Sequence, residues 1–195
     1  MSKKYSNTTA DFLTWDQNLN LIRRLYDDGE IKISLLISCG SFWGLRISDL
    51  LRLTWEDVLA KDEFVLAEKK TGKSREIKIN DQLQRHIRDC HAKIKPRDPG
   101  NHIFTSQKGS VYSIQRINVI FKTLKVRYGL SVQNFSTHSM RKTFGREVFN
   151  KSGTNAELSL VKLSQLFNHS NVATTRRYLG IAKEEMMQTY DLLGF

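Results

Sequence analysis

Residues 137–178 begin with Thr-His-Ser-Met-Arg and end with Asn-His-Ser-Asn-Val-Ala-Thr-Thr-Arg-Arg-Tyr. His138 and Arg141 are three positions apart in a stretch of helical character, so both side chains can lie on one face and reach the same small anion. His169 lies at an apparent junction between two helices, nine residues before Tyr178. Each of these side chains alone is compatible with a buried polar or surface role. Their joint spacing favours a functional site.

The composition is that of a folded, strongly basic protein of 195 residues. Hydrophobic residues make up 39% of the chain and charged residues 26%, which is ordinary for a globular domain. The formal net charge of +11 indicates a polyanionic partner, although membrane-surface and heparin-binding proteins share such a charge. No apolar run approaches the ~20 residues of a membrane span, and the N terminus lacks the apolar core of a signal peptide. We therefore expect a cytoplasmic protein.

The two cysteines lie in unrelated contexts. Cys39 and Cys90 form no Cys-x-x-Cys motif, which predicts free and mostly buried thiols in a reducing compartment. The five histidines and two cysteines also lack a recognisable zinc spacing, so no metal is expected.

Apolar periodicity predicts helices over most of the chain. Thr14 and Gln17 form a capping-box pattern at the start of the first helix, and the almost uniformly apolar stretch 32–41 predicts a buried central helix. Gly44 interrupts that helix. Further helices are predicted over 47–53, from Asn80 or Asp81 to about 94, 113–128, 138–150, 156–167 (with Thr154 and Glu157 as a capping box), 172–179 and 182–192.

Between Glu63 and Ile79 the apolar period changes from that of a helix to that of a strand. Two short alternating runs flank Lys-Lys-Thr-Gly-Lys-Ser at 69–74, which predicts two strands joined by a cationic, glycine-containing turn. There is no internal repeat or convincing linker. The chain is therefore predicted to be a single α+β domain, mostly α-helical, with one small antiparallel sheet and with residues 1–10 loose.

Six candidate side chains follow one another in order: Arg46, Lys70, His138, Arg141, His169 and Tyr178. The motifs that contain them are Gly-Leu-Arg-Ile-Ser-Asp-Leu-Leu at 44–51, Lys-Thr-Gly-Lys at 70–73, His-Ser-Met-Arg at 138–141 and Leu-Phe-Asn-His-Ser at 166–170, with Tyr178 following. This ordered set closely resembles the catalytic domain of the tyrosine recombinases, the phage integrase family. Each motif is short, but six matching positions in the correct order over about residues 10–190 form a specific signal.

Two positions depart from the pattern of the family. Asp49 stands where the family more often has Glu, and Asn168 where Gly commonly precedes the second His; neither change removes a catalytic group. Members of the family also carry a helical core-binding domain in front of this region. Here only about ten residues precede the first predicted helix, so we expect that domain to be absent from this chain.

The resemblance implies a role for each of the six residues. Tyr178 is the nucleophile that forms a 3′-phosphotyrosyl bond, and the two arginines stabilise the non-bridging phosphate oxygens. His138 accepts the phenol proton, while His169 bonds the phosphate or positions the tyrosine. Lys70 is the general acid, with Lys69 and Lys73 as alternatives in the same turn. No cofactor is implied, because the phosphotyrosine bond conserves the energy of the cleaved bond.

The resemblance also implies double-stranded DNA as partner. Further cations predicted to contact its phosphates are Lys69, Lys73, Arg75, Lys142, Arg176 and Arg177. At the C terminus, residues 182–195 predict a tail helix with an apolar stripe of Ala182, Met186, Tyr190 and Leu193. Such tails join neighbouring protomers of a tetramer in the family, but packing on the same domain is an equal alternative.

Three site residues keep structural alternatives: an ion pair for Arg46, formed with Asp49, a carbonyl hydrogen bond for His169, and a core position for Tyr178. Two other functions also remain open. A type IB topoisomerase uses a similar set of groups, although the short chain and the motif spacing disfavour it. A DNA-binding regulator with this fold is expected to have lost a catalytic group, and none is visibly lost.

Overall fold

The computed structural model describes residues 10–192. The expectation of a loose N-terminal segment therefore lies, for residues 1–9, outside the described residues, as does Leu193 of the tail stripe.

The described chain is mostly helical with one two-stranded antiparallel sheet, which confirms the predicted fold class. The elements in chain order are α1 (Trp15–Asp27), α2 (Ile31–Trp43), α3 (Ile47–Leu50), α4 (Trp55–Val58), β1 (Glu63–Ala67), β2 (Ser74–Lys78), α5 (Asp81–Ile94), α6 (Ile114–Arg127), α7 (Thr137–Lys151), α8 (Ala156–Phe167), α9 (Val172–Leu179) and α10 (Ile181–Tyr190).

Helix α2 is the centre of the fold, as its uniformly apolar sequence predicts. Leu35, Leu36 and Ile37 are fully buried on three successive faces, and α1, α5 and α7 pack around the helix. The helix ends at Gly44, which adopts a left-handed conformation with φ of 60°. This sharp end turns the chain towards Arg46 and α3.

The hairpin β1–β2 has an inward and an outward face. Glu63 pairs with Lys78 at one end and Ala67 with Ser74 at the other. Phe64 and Leu66 are buried, and the side chain of Glu68, two residues further on, continues the buried face beyond the end of the strand. The turn 68–73 therefore starts with a buried carboxylate and carries its lysines outward.

The buried apolar residues form two clusters of unequal size. The larger cluster surrounds α2 and includes residues from α1, α5 and α6. The smaller cluster lies among α7, α8 and α9, and its buried members are Leu160, Leu163, Phe167, Leu179 and Ile181. Helix α7 borders both clusters, because Met140 packs in the larger one and Phe144 against the smaller one.

Two local expectations have opposite outcomes. Thr14 and Gln17 form the predicted reciprocal capping box. The second predicted box is wrong: α8 is capped at Asn155 without a side-chain hydrogen bond, because a 3-10 turn over Gly153–Asn155 includes Thr154.

Both cysteine thiols are free and buried, which confirms that prediction. Burial raises the pKa of Cys90 to about 12 and that of Cys39 well above its usual value. Among residues 10–192, none of the helices is both long and apolar enough to cross a membrane.

Candidate active site

Arg46 lies at the corner between α2 and α3. Its Nη1 donates to Glu68 Oε2 at 2.7 Å, and its Nη2 donates to the carbonyl oxygen of Phe167 at 3.1 Å. The structural alternative for Arg46 was an ion pair with Asp49; the ion pair observed is with Glu68. Asp49 is buried and accepts a hydrogen bond from the backbone N–H of Lys69 at 2.9 Å.

Arg141 lies in the second turn of α7 and is almost fully buried. Its Nη1 donates to the carbonyl oxygen of Gly44, and its guanidinium carbon lies 4.1 Å from the centroid of the Phe167 ring. Burial lowers the pKa of Arg141 to about 10, which still leaves the guanidinium charged at neutral pH. The side chain is therefore held as a cation between α2 and α8.

Arg75 of β2 also donates to carbonyl oxygens at the C-terminal ends of α2 and α8. Its Nη2 donates to the carbonyl oxygen of Trp43 at 3.1 Å and its Nη1 to that of Leu166 at 3.4 Å. The carbonyls of Trp43 and Gly44 end α2, and those of Leu166 and Phe167 end α8. Because the C-terminal end of a helix carries partial negative charge, these carbonyls stabilise three guanidinium groups placed close together.

The two histidines are biased towards the neutral state. Burial and the charges of Arg141 and Lys142 lower the pKa of His138. Burial and the charges of Arg141, Arg46 and Lys70 lower the pKa of His169. The Nδ1 of His169 lies 2.9 Å from the hydroxyl of Thr175, a contact that fixes the orientation of the ring.

Tyr178 of α9 lies against both histidine segments. Its ring centroid is 5.3 Å from that of His169 and 5.7 Å from that of Phe167, and its hydroxyl donates to the carbonyl oxygen of His138 at 3.5 Å. Burial raises the pKa of Tyr178 to about 12, although the charges of Arg141 and Arg46 act in the opposite direction. The phenol is therefore protonated at neutral pH.

Lys70 lies in the exposed turn between β1 and β2. Its charge is among the causes that lower the pKa of His169, which places the lysine within electrostatic reach of the site. The backbone of Lys69 on one side and the hydroxyl of Thr71 on the other are both bonded to buried carboxylates, those of Asp49 and Glu68.

Arg46, Arg141 and Tyr178 thus meet at Phe167, with His169 against the Tyr178 ring. His138 reaches the tyrosine hydroxyl through its backbone carbonyl, and Lys70 lies in the neighbouring turn. The further cations divide into two groups. Lys69, Lys73 and Arg177 are exposed and can approach a phosphate backbone. The other three are engaged within the fold: Arg75 bonds two carbonyls, Lys142 is only 8% exposed, and Arg176 pairs with Glu157 and Glu185.

Two residues of the site were not expected from the sequence. Glu68 is the ion-pair partner of Arg46. Its burial could have been inferred, because alternate residues of a strand face the same side and Phe64 and Leu66 face inward. Phe167 contacts both arginines and the tyrosine. Its place in the sequence, two residues before His169, did not indicate these contacts. Within residues 10–192, no cluster of three or more His, Cys, Asp or Glu side chains is arranged to hold a metal ion.

Comparison with known families decides the class of the protein. The sequence profile described as the phage integrase family matches residues 12–185. The chain belongs to the phage integrase family. This finding confirms the resemblance to the catalytic domain of the tyrosine recombinases, a class of enzymes that break and rejoin DNA.

Individual relatives of this integrase-family chain agree with the assignment. It is 31% identical over 150 residues to the "Probable integrase/recombinase YoeC" of Bacillus subtilis (strain 168), with 77% of this chain and 78% of that protein covered. Its fold matches the crystal structure of XerA recombinase with a TM-score of 0.71 at 19% identity, covering 95% of this chain and 66% of that one.

The fold also matches XerH site-specific recombinase bound to palindromic difH substrate in a post-cleavage complex. The TM-score is 0.68 at 16% identity, and 91% of the integrase-family chain is covered. The match spans 51% of the XerH chain, so this chain corresponds to about half of that relative.

Proposed function

We propose that this domain breaks and rejoins double-stranded DNA at specific sites through a 3′-phosphotyrosyl intermediate, with Tyr178 as the nucleophile. The observation that supports this proposal is the convergence on Phe167. Arg46 bonds its carbonyl oxygen, Arg141 lies over one face of its ring, and the ring of Tyr178 meets it edge-on. Two guanidinium groups and a phenol are thereby gathered around one buried residue.

The arginines supply the charge that a phosphoryl transfer needs. Arg46 and Arg141 each donate one hydrogen bond to a backbone carbonyl, and other N–H groups of each guanidinium can bind non-bridging oxygens. A guanidinium presents a planar fork to two phosphate oxygens, and its position is fixed before DNA arrives. Loss of one preorganised donor of this kind typically costs roughly 10²- to 10³-fold in rate.

The proton balance assigns the remaining groups. As the bond between the Tyr178 oxygen and phosphorus forms, the phenol proton passes to the neutral imidazole of His138. As the bond between phosphorus and the 5′-oxygen breaks, Lys70 delivers a proton to the leaving oxygen. His169 is held by Thr175 through Nδ1 and offers Nε2 to the phosphate. Reversal of these transfers rejoins the strands.

DNA is the partner that agrees with the charge and with the relatives. The chain carries +11, and XerH, whose fold it shares, is described as bound to its difH substrate. Lys69, Lys73 and Arg177 are the exposed cations that we assign to backbone phosphates. Such contacts set the register of the protein on the duplex but carry little sequence information.

We assign self-association on DNA, in a tetrameric synapse, to α10. Met186 and Tyr190 of its apolar stripe are 67% and 68% exposed, and Ile181 at its start is the part that packs into the smaller cluster. An exposed stripe of this kind is available to a second copy of the chain. Truncation after Ile181 should leave strand cleavage intact and weaken association, which sedimentation with DNA can measure. Unfolding of the truncated protein would contradict this assignment.

The decisive experiment for the function uses nicked duplexes that carry candidate sites. After cleavage, the short strand beyond the nick diffuses away and the covalent intermediate accumulates. A protease-sensitive protein–DNA adduct on a denaturing gel, formed equally with and without EDTA, is the expected result. Absence of an adduct on every substrate, or its loss in EDTA, contradicts the proposal. No observation favours the topoisomerase or the regulator.

A further inference from the structure

The carboxylate of Glu68 lies in the centre of the positive site. Its side chain is 6% exposed, and Oε2 accepts from both Arg46 Nη1 at 2.7 Å and Thr71 Oγ1 at 3.0 Å. Burial alone raises the pKa of Glu68, but the hydrogen bonds from Arg46 and Thr71 outweigh it, so the pKa is lowered overall. The group is therefore an anion with two ordered donors.

Those two donors come from different parts of the site. Arg46 precedes α3 and is one of the arginines that we assign to the phosphate, whereas Thr71 lies in the turn directly after Lys70. On the other side of Lys70, the backbone N–H of Lys69 is bonded to Asp49 of α3. The residues on both sides of Lys70 are thus bonded to carboxylates: the backbone of Lys69 to Asp49, and the hydroxyl of Thr71 to the carboxylate that pairs with Arg46.

We propose that Glu68 and Thr71 are positioning residues that connect the phosphate-binding Arg46 to the turn that carries the general acid Lys70. The inference rests on the proposed role of Lys70. The side chain of Lys70 is exposed, and the turn contains Gly72 with φ of 69° and space around it. Backbone hydrogen bonds join Glu68 to Gly72 and Lys73, and the hydroxyl of Thr71 connects the turn to the carboxylate that pairs with Arg46.

The consequence for the reaction is geometric. A misplacement of about 1 Å can cost roughly 10²-fold in rate, and a positioned acid contributes ~10² to 10⁴. Replacement of Thr71 by valine keeps the shape of the side chain but removes the hydrogen bond to Glu68 and the longer one, of 3.3 Å, that the hydroxyl accepts from the backbone N–H of Lys73. The ion pair between Glu68 and Arg46 remains. The variant should therefore lose part of the acid catalysis and none of the phosphate binding.

The test compares ordinary DNA with a substrate in which sulfur replaces the bridging 5′-oxygen. A thiolate leaves without a proton near neutral pH, because the pKa of a thiol is about 8.5. We expect Thr71→Val to cleave ordinary DNA about 10-fold more slowly, a partial loss of the contribution of a positioned acid, and to regain the wild-type rate on sulfur. A merely structural role does not produce this recovery.

Three variants complete the design. Lys70→Ala defines full loss of the acid and should also recover on sulfur. Glu68→Gln removes the charge beside Arg46, so it should be slow on both substrates. Ser74→Ala removes another hydroxyl of the same hairpin, at an exposed position outside the link, and should match the wild type on both. Thermal melts establish that each variant is folded.

The outcomes separate this inference from the function on which it rests. If Lys70→Ala does not recover on sulfur, Lys70 is not the acid and the link to it is overturned, whereas strand cleavage through Tyr178 is still judged by the covalent adduct. If Lys70→Ala recovers while Thr71→Val is as fast as Ser74→Ala, or remains slow on sulfur, the general acid stands and the link is refuted. Recovery of both Lys70→Ala and Thr71→Val supports the link.

Discussion

The arginines and the tyrosine of the site are held in different ways. Arg46 and Arg141 donate to the carbonyls of Phe167 and Gly44, at the ends of two helices. The hydroxyl of Tyr178 has a hydrogen bond of 3.5 Å to a carbonyl, and packing against aromatic rings places its ring. The arginines, which we assign to the phosphate, are therefore held by hydrogen bonds, whereas the proposed nucleophile is held mainly by ring packing.

The same contrast appears in the charges. The guanidinium of Arg141 keeps its proton at neutral pH even with its pKa lowered to about 10. The phenol of Tyr178 also keeps its proton, because its pKa is raised to about 12, and in that state it is a poor nucleophile. Arg141 thus already carries the charge that its proposed role needs, whereas the phenol of Tyr178 must lose its proton before it can attack.

The largest effect is expected from Tyr178→Phe. Loss of the phenol oxygen should abolish the covalent adduct, because no other group is proposed to attack phosphorus. The melting temperature and DNA affinity should remain near those of the wild type, since the hydroxyl makes only one long hydrogen bond. Tyr190→Phe, on the exposed stripe of α10, is the matched control and should form adduct normally. Peptide mapping of the adduct to Tyr190 would overturn the assignment.

Removal of an arginine should have the next largest effect and should differ in kind. Arg141→Ala is expected to slow single-turnover cleavage by roughly 10²- to 10³-fold, on both the oxygen and the sulfur substrate. It should also lower the free energy of unfolding by about 1–3 kcal/mol, because the carbonyl of Gly44 loses its donor. Urea denaturation measures this loss. Unchanged stability would show that the arginine is not an anchored part of the fold.

A mutation behind the nucleophile tests how it is placed. In Gly145→Ala, the new Cβ would lie 2.6 Å from Cδ2 of Leu179 and 3.1 Å from the ring of Phe167, so the packing of Leu179 and Phe167 beside Tyr178 has to change. We expect adduct formation about 10-fold slower, with DNA affinity unchanged. Gly100→Ala is the control, since its Cβ meets nothing closer than 3.4 Å. Equal rates for the two variants would contradict placement of Tyr178 by this packing.

The smallest effect is expected from pH. If His138 accepts the phenol proton, the rate should change less than about tenfold between pH 7 and 9, because an imidazole with a lowered pKa is already neutral there. The rate should fall as the imidazole becomes protonated, at a pH below the ordinary histidine pKa of about 6.5. A tenfold rise per pH unit up to pH 9 would instead indicate attack by free phenolate of Tyr178. Single-turnover rates across this range distinguish the two cases.

The sequence predicted the groups of the site better than their contacts. Short motifs identified Arg46, His138, Arg141 and Tyr178, because these side chains keep a fixed order along the chain. The ion pair between Arg46 and Glu68 was not predicted, since it depends on how a helix corner packs against a turn 22 residues away.

Charge alone also misled the assignment of surface cations. Arg75 and Lys142 belong to basic segments that suggest exposure, yet one bonds carbonyls of α2 and α8 and the other is buried. Burial of a lysine or arginine is rare and depends on tertiary partners that local periodicity does not contain. The apolar pattern of α2, in contrast, is local, and it predicted the centre of the fold.

The buried thiols have a practical consequence for following the turn that carries Lys70. Only the thiolate reacts with maleimides, and Cys39 and Cys90 are buried with raised pKa values, so both should label slowly in the native protein. A cysteine introduced at the exposed Ser74 should then accept a fluorophore selectively. Its emission can report when the turn meets DNA, in the otherwise natural sequence.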